Sequence, residues 1–326
     1  MTSLLIEACS SKMIDLDHPD NDPRLSDPTI INTVSSVKQL WVDDTRLYWL
    51  TPGALDEDSA LFGCLKDDCA RSVSLYARSV ARDNTPSYQG VGIGSERVFW
   101  WGSSPQYTLY SCPKAGCPEL GKIYRAERYD RLVADQDQAY WASATALLRC
   151  DSAGCGATPT VVADAQPSIA TFVVAGSDAI WYEVISSEIR RAPKDGSQPP
   201  TTLVQLGSAD TVTYLAADSD NVYWLDGSQQ NAFRCALAGC SAGPTLISSG
   251  TEYKQGLVAS GYSVYWLEGT WSAPAVRSCQ NTGCSGAPVF LTPAKVQAYA
   301  LDSQYVYWTE FDQSLQYGRY IHRAPR

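Results

Sequence analysis

An aromatic pair, Tyr-Trp or a close variant, returns seven times along this chain at a nearly fixed interval. The copies are Tyr48-Trp49, Phe99-Trp100, Tyr140-Trp141, Trp181-Tyr182, Tyr223-Trp224, Tyr265-Trp266 and Tyr307-Trp308, and their second residues lie 51, 41, 41, 42, 42 and 42 residues apart. A period of about 40–45 residues with β-forming aromatics in every copy predicts one four-stranded antiparallel blade per repeat. The predicted fold is all-β, a seven-bladed β-propeller. Copy six shows the pattern: strand a near Gly256–Ala259, strand b at Ser263–Leu267, strand c up to Cys279, and strand d near 288–291. The alternation in Val264-Tyr265-Trp266-Leu267 suits a sheet packed on both faces.

The register also predicts how the ring closes. Copy seven ends on strand c, at His322-Arg323-Ala324-Pro325-Arg326, and lacks a strand d. Pro28-Thr29-Ile30-Ile31 precedes the first strand a as Pro244-Thr245-Leu246-Ile247 precedes the sixth. Ile30-Ile31 should therefore pair with the strand that ends near Ile321, so the N-terminal strand completes the last blade and removes an open edge. Residues 1–27, rich in Asp and Pro, read as a solvated acidic tail, and 28–326 as a single propeller domain.

Cysteine usage bears on the compartment. Ten of the eleven cysteines form five pairs with four residues between: Cys64/Cys69, Cys112/Cys117, Cys150/Cys155, Cys235/Cys240 and Cys279/Cys284. Four pairs carry Gly just before the second Cys, where a tight turn wants positive φ. Zinc would need two pairs brought together, or a pair with two histidines. Each pair belongs to a different blade, and the only histidines are His18 and His322. Local disulfides across the c–d turns are expected, with no metal and no cofactor. Five disulfides predict an extracytoplasmic location: periplasm, cell surface or secreted. The net charge of −10 disfavours nucleic acid, and no apolar run reaches the roughly 18–20 residues of a transmembrane segment. Leu4-Leu5-Ile6 is too short for the apolar core of a secretory signal. Cys9 follows Leu5-Ile6-Glu7-Ala8, which loosely resembles the end of a lipoprotein signal. It could carry a lipid anchor or remain an unpaired thiol.

Tyr307-Trp308-Thr309-Glu310 resembles the YWTD repeat of receptor-type propellers. The whole repeat, with its Cys-bearing third strand, resembles cysteine-rich secreted bacterial propellers and is more distantly similar to the NHL and virginiamycin B lyase group. The resemblance implies fold across 28–326 and says little about function, because those families include receptors and lyases. The YWTD families have six blades, whereas seven copies are countable here. The lyase acts through histidine and glutamate over a metal. No histidine falls on strand a or b of any copy, so that activity is not carried over, and no catalytic residue is assigned.

Three constellations could bear a ligand. The residue eleven before each second aromatic should stand at the channel mouth: Lys38, Gln89, Asp130, Thr171, Thr213, Gln255 and Gln297. One carboxylate among amides and hydroxyls is a poor cage for a hard cation. Two residues after the aromatic come Asp226, Glu268 and Glu310, with Glu183 one residue earlier in its copy. They form either an acidic sector or, as the YWTD resemblance implies, ties between blades. The b–c loops are longest in copies six, seven, one and two, which raises one side of one face. That wall carries Asp56, Glu57, Asp58, Trp101, Tyr107, Trp271 and Phe311. Trp101 and Trp271 stand outside the aromatic columns, as binding or packing residues. The function read from sequence is binding of a protein, peptide or glycan ligand on this b–c/d–a face without catalysis. The alternative is a lyase or hydrolase at the channel mouth.

Overall fold

The structure, a computed structural model, describes residues 31–32, 37–51, 59–80, 90–102, 107–117, 121–126, 131–156, 158–208, 210–270, 272–284, 288–293, 295–310 and 320–326. Seven four-stranded antiparallel blades form a ring, a seven-bladed β-propeller. Blade four shows the plan: strand a Ile169–Ala175, b Asp178–Glu183, c Glu188–Pro193 and d Thr201–Gln205, each pairing with the next. Blade six runs Tyr253–Ser260, Ser263–Gly269, Ala275–Gln280 and Val289–Phe290, close to the strands expected. Blade seven has only three strands of its own, and Ile31–Asn32 supplies the fourth, with Ile31 opposite Ile321 and Asn32 opposite Tyr320. Ile30 lies outside the described residues. A single bridge between Val80 and Gly102 joins the sheets of blades one and two.

Backbone contacts divide the chain into two compact units. One comprises the described parts of 31–78, 267–278 and 289–326; the other comprises 79–266 and 279–288. The first contains the closure just described and the second contains blades three to five entire.

Packing repeats along with the sequence. The tryptophan of strand b lies in one core with residues of the preceding blade: Trp49 with Tyr307 and Ile321, Trp181 with Tyr140, Trp224 with Ile180 and Tyr182, Trp266 with Tyr223 and Leu225. Each such aromatic buries roughly 150–250 Å², about 4–6 kcal/mol at ~25 cal/mol/Å². These columns correct the sequence alignment in blade four. Strand pairing sets Trp181 opposite Phe172, as Trp224 is set opposite Leu215. Trp181, not Tyr182, therefore occupies the tryptophan column, and Ile180 takes the place of the tyrosine.

A polar feature fastens the other aromatic column. Five residues before the tyrosine, an Asp closes the a–b turn. Asp218 Oδ1 accepts the N–H groups of Asp220 and Asn221, both at 2.8 Å, and Oδ2 accepts the Tyr223 hydroxyl at 2.6 Å. Asp43 holds Thr45, Arg46 and Tyr48 in the same way, and Asp302 holds Gln304, Tyr305 and Tyr307. Burial first, and then the neighbouring carboxylate, pushes the phenols of Tyr223 and Tyr307 far up, so they stay protonated donors. Blades whose column residue has no hydroxyl lack the Asp: Phe99 follows Gly94 and Ile180 follows Ala175. A lysine from the next blade's c–d turn reaches the Asp at this position in two blades, Lys66 to Asp302 at 2.6 Å and Lys194 to Asp135, although in blade three the Tyr140 hydroxyl donates to Gln138 Oε1 instead.

The five cysteine pairs all stand at disulfide distance. Cα separations are 4.8 Å for Cys64–Cys69, 5.2 Å for Cys112–Cys117, 5.1 Å for Cys150–Cys155, 5.6 Å for Cys235–Cys240 and 5.0 Å for Cys279–Cys284. The links are not made from strand to strand across the c–d turn, which refines the expectation from sequence. The first cysteine of each pair is buried on strand c. Cys117, Cys155, Cys240 and Cys284 are half-buried in the turn itself, ahead of the strands d that begin at Gly121, Thr160, Thr245 and Val289. Each of these four therefore ties the turn back onto the end of strand c. The glycine before it makes this possible: Gly116, Gly154, Gly239 and Gly283 have φ of +143°, +103°, +141° and +121°, which folds the chain back. Blade one differs, because Cys69 is buried and opens a short helix, Cys69–Ser72.

Candidate functional site

The ends of strand b carry four carboxylates at one register. Glu183 pairs with Ile169, Asp226 with Val212 and Glu310 with Val296; Glu268 stands at the same step after Trp266. Once Trp181 is placed in its column, the apparent offset of Glu183 disappears, and blades four to seven share an acid there. The hydrogen bonds of Asp226 are local to its own b–c turn, whereas those of Glu183 join its b–c turn to the residue that precedes strand a. Glu183 accepts from the Ser168 hydroxyl and from both the N–H and hydroxyl of Ser186, each of the latter at 2.8 Å. Asp226 accepts from Ser228 at 2.8 Å and from the Asn231 side chain at 2.7 Å. Burial pushes both carboxyls up, but these donors more than offset it and hold them below the usual range. Glu268 lies 3.9 Å from Arg277 of its own blade. Glu183 and Asp226 thus clip turns, while ties between blades include the Lys–Asp pairs on the a–b and c–d turns and the bond from Arg191 to Leu237 O.

The clip on blade four gives its b–c turn, as short as that of blade three, an unusual surface. Ile185 donates its N–H to Ser168 Oγ at 3.1 Å, and Val184 donates to Ser168 O at 3.0 Å. Ser187 sits at φ +53°. The turn is fixed by side chains, yet its tip is apolar: Ile185 is 75 % exposed and Val184 44 %.

The residues expected to line the long-loop wall divide. Trp101 is fully buried and meets Trp141 edge to face at 5.7 Å. It follows the column tryptophan at the step that Leu50, Tyr182 and Leu225 fill elsewhere, so it is core between blades two and three and leaves the ligand-binding set. Tyr107 is half-buried at the start of its strand c, against that same core. Asp56, Glu57, Asp58, Trp271 and Phe311 lie outside the described residues.

Of the expected channel-mouth residues, Gln89 and Asp130 also lie outside the described residues. Lys38, Gln255 and Gln297 are half-buried, and Lys38 donates its N–H to Leu50 O at 2.7 Å. The strands bulge at this level. Pairing skips from Val212 to Tyr214 and from Val296 to Ala298, so Thr213 and Gln297 are extra residues. Thr213 turns its hydroxyl to Asp226 O at 3.2 Å. Thr171 belongs to the next register, paired with Tyr182 as Tyr214 is with Leu225. There it is buried and accepts a 2.6 Å hydrogen bond from Arg131 Nη1. Sequence reasoning missed Arg131, because counting from the aromatic cannot see a bulge. Among the described residues no group of three His, Cys, Asp or Glu is placed to hold a metal ion.

No protein-family profile matches the chain, and no curated protein matches it. Solved structures do. The β-propeller domain of the Trilobed protease from Pyrococcus furiosus is 8 % identical, with 89 % of this chain and 95 % of that one covered and a TM-score of 0.64. YCF48, solved bound to D1 peptide, is 11 % identical over 91 % of this chain and 96 % of that one, with a TM-score of 0.60. An acylaminoacyl peptidase from Pyrococcus horikoshii is 9 % identical over 89 % of this chain, with a TM-score of 0.64. The chain spans about half the length of the peptidases it matches, 52 % of that one and 47 % of a prolyl endopeptidase. At such identities the likeness is one of fold, and fold does not carry function.

Proposed function

We propose that this chain is an extracytoplasmic binding propeller that takes a protein, peptide or glycan partner on its b–c/d–a face and catalyses no reaction. The observation that carries this is the blade-four turn, whose Val184-Ile185 tip is exposed on a scaffold clipped by Glu183 and Ser168. Apolar anchors on rigid elements bind at low entropic cost. A peptide-bound propeller among the structural neighbours is in keeping with a peptide partner. The five cysteine pairs favour an oxidising compartment, and a lipid anchor at Cys9 would hold the propeller at a membrane surface. Asp56, Glu57, Asp58, Tyr107, Trp271 and Phe311 are assigned to the same face as supporting contacts.

The test is hydrogen exchange on the oxidised protein with pools of peptides and of glycans. Protection of the 184–187 and 227–231 turns by one pool, lost in Ile185→Asp, is the expected result. Protection confined to the turns of Cys117, Cys155, Cys240 and Cys284 would overturn the assignment of the face. Turnover of a pool member would instead favour a lyase or hydrolase.

A further inference from the structure

In three pairs of adjacent blades within the second compact unit, the c–d turn of one blade lies on strand d of the blade before it. Cys284 of blade six donates its N–H to Ile247 O of blade five at 3.3 Å. A Cβ on Gly154 of blade three would stand 3.6 Å from Ile123 O of blade two, and one on Gly196 of blade four only 2.4 Å from Val161 O of blade three. The strands so covered, Gly121–Ala126, Thr160–Ala163 and Thr245–Ser248, each stand last in their sheet. Each also bulges at the contact, where pairing with strand c skips Ile123, Val162 and Ile247. A bulge leaves one residue without its ladder partner, and an open edge is a template for pairing with another chain. The turns therefore cover the least satisfied point of the neighbouring edge.

Two kinds of fastening hold these covers. In blades three and six a disulfide ties the turn to the end of strand c, Cys150–Cys155 and Cys279–Cys284. In blade four Ala192 and Ser197 stand at the two cysteine positions. There Asp195 Oδ1 accepts the Ser197 N–H at 2.9 Å, and Lys194 pairs with Asp135 of blade three. The turn hydrogen bond is the same in all three: Gly154 N–H to Asp151 O, Gly196 N–H to Pro193 O and Gly283 N–H to Gln280 O, each at 2.9 Å. Cys155 and Cys284 are half-buried, whereas Cys150 and Cys279 are buried on strand c. The turn cysteine is thus the accessible end of each bond.

We propose that these two disulfides are redox-sensitive latches on the edges of blades two and five. A thiolate of a dithiol reductant attacks Sγ of the turn cysteine, and the S–S bond breaks with the strand-c cysteine as leaving thiolate, which takes up the proton that the attacking thiol lost. The second thiol of the reductant then displaces the turn cysteine, so that two cysteine thiols form and the reductant departs as a disulfide. The turn regains the freedom that the short covalent loop denied it. It lifts from the bulges at Ile123 and Ile247, while Gly196 stays on Val161. The latches lie apart from the b–c/d–a face and do not depend on a partner binding there.

Hydrogen exchange of the turn glycine amides, followed by NMR on the full chain before and after dithiothreitol in native buffer, tests this, with free thiols counted alongside. Gly154 and Gly283 should exchange about 10-fold or more faster after reduction, whereas Gly196 should change less than about 2-fold. Without reductant, Cys279→Ser combined with Cys284→Ser should speed Gly283 and leave Gly154 unchanged. Asp195→Ala should speed Gly196 in both redox states. If the double variant does not fold, the comparison of oxidised and reduced wild type decides alone. Unchanged rates at Gly154 and Gly283, equal acceleration of Gly196, or disulfides that resist dithiothreitol until the protein unfolds would overturn the latches.

Discussion

Asp302 offers a quantitative test of how the blades are fastened. Its side chain is 3 % exposed, and that of Lys66, 2.6 Å away, is 14 % exposed. Burial pushes the carboxyl up, but the Lys66 ammonium, two backbone N–H groups and the Tyr307 hydroxyl outweigh this and hold it below the usual aspartate range. Asp302→Ala leaves a lysine, two amides and a phenol without their acceptor. Breaking a buried pair from one side costs about 3–5 kcal/mol. Lys66→Met removes one donor of four and keeps the packing stem, so about 1.5–3 kcal/mol is expected. Lys194 and Asp135 make the same contact at 22 % and 29 % exposure, where an ion pair is worth about 0–1 kcal/mol. The three variants should therefore rank Asp302→Ala, Lys66→Met, Asp135→Ala in guanidinium midpoints measured with disulfides intact. The sign of the pH dependence follows from the lowered pKa. The contribution is complete above the unfolded aspartate pKa of about 3.9 and is lost as pH falls through the folded value. The gap between wild type and Asp302→Asn should stay level from about pH 8 to 5 and narrow below about pH 4. A gap that persists into acid, or an Asp302→Ala no costlier than Asp135→Ala, would refute the reasoning.

Three further outcomes are expected. Deleting residues 1–27 should leave the unfolding midpoint unchanged, whereas deleting 1–34 removes Ile31–Asn32 from blade seven and should lower it clearly; equal midpoints would count against the closure. Peptide mapping without reductant should recover five links between cysteines five apart, each worth about 2 kcal/mol, and links between blades would contradict the turns described. Trp101→Ala should cost about 3–5 kcal/mol in stability as a buried aromatic, with any loss of binding following from unfolding; a stable variant with weakened binding would return Trp101 to the surface.

Much of the architecture was legible because the repeat is long and its signals are local. Tyr-Trp marks strand b, the cysteine pair marks the c–d turn, and Pro28–Ile31 marks the closing strand. The parts that escaped depend on register. Trp181-Tyr182 inverts the usual order, and only pairing with Phe172 shows that Ile180 has displaced the tyrosine. That one-step error hid the alignment of Glu183 with Asp226 and set Thr171 level with Thr213. Trp101 looked anomalous because core and surface tryptophans have the same letter, and alternation decides between them only when the neighbouring blade is in place. The Asp–Tyr pairs at five-residue spacing were written in the sequence, but their meaning depends on a turn that folds the carboxylate back onto the ring.

The turn disulfides bear on how the chain acquires its covalent structure. Each links cysteines five residues apart, while a partner in the neighbouring blade stands ~40 residues away. Loop closure falls off as the three-halves power of length, so the native partner is favoured roughly 20-fold over such a neighbour before any tertiary contact forms. A chain threaded unfolded into an oxidising compartment could thus seal each hairpin as it emerges, in the order of synthesis, with little reshuffling left for an isomerase once the ring closes.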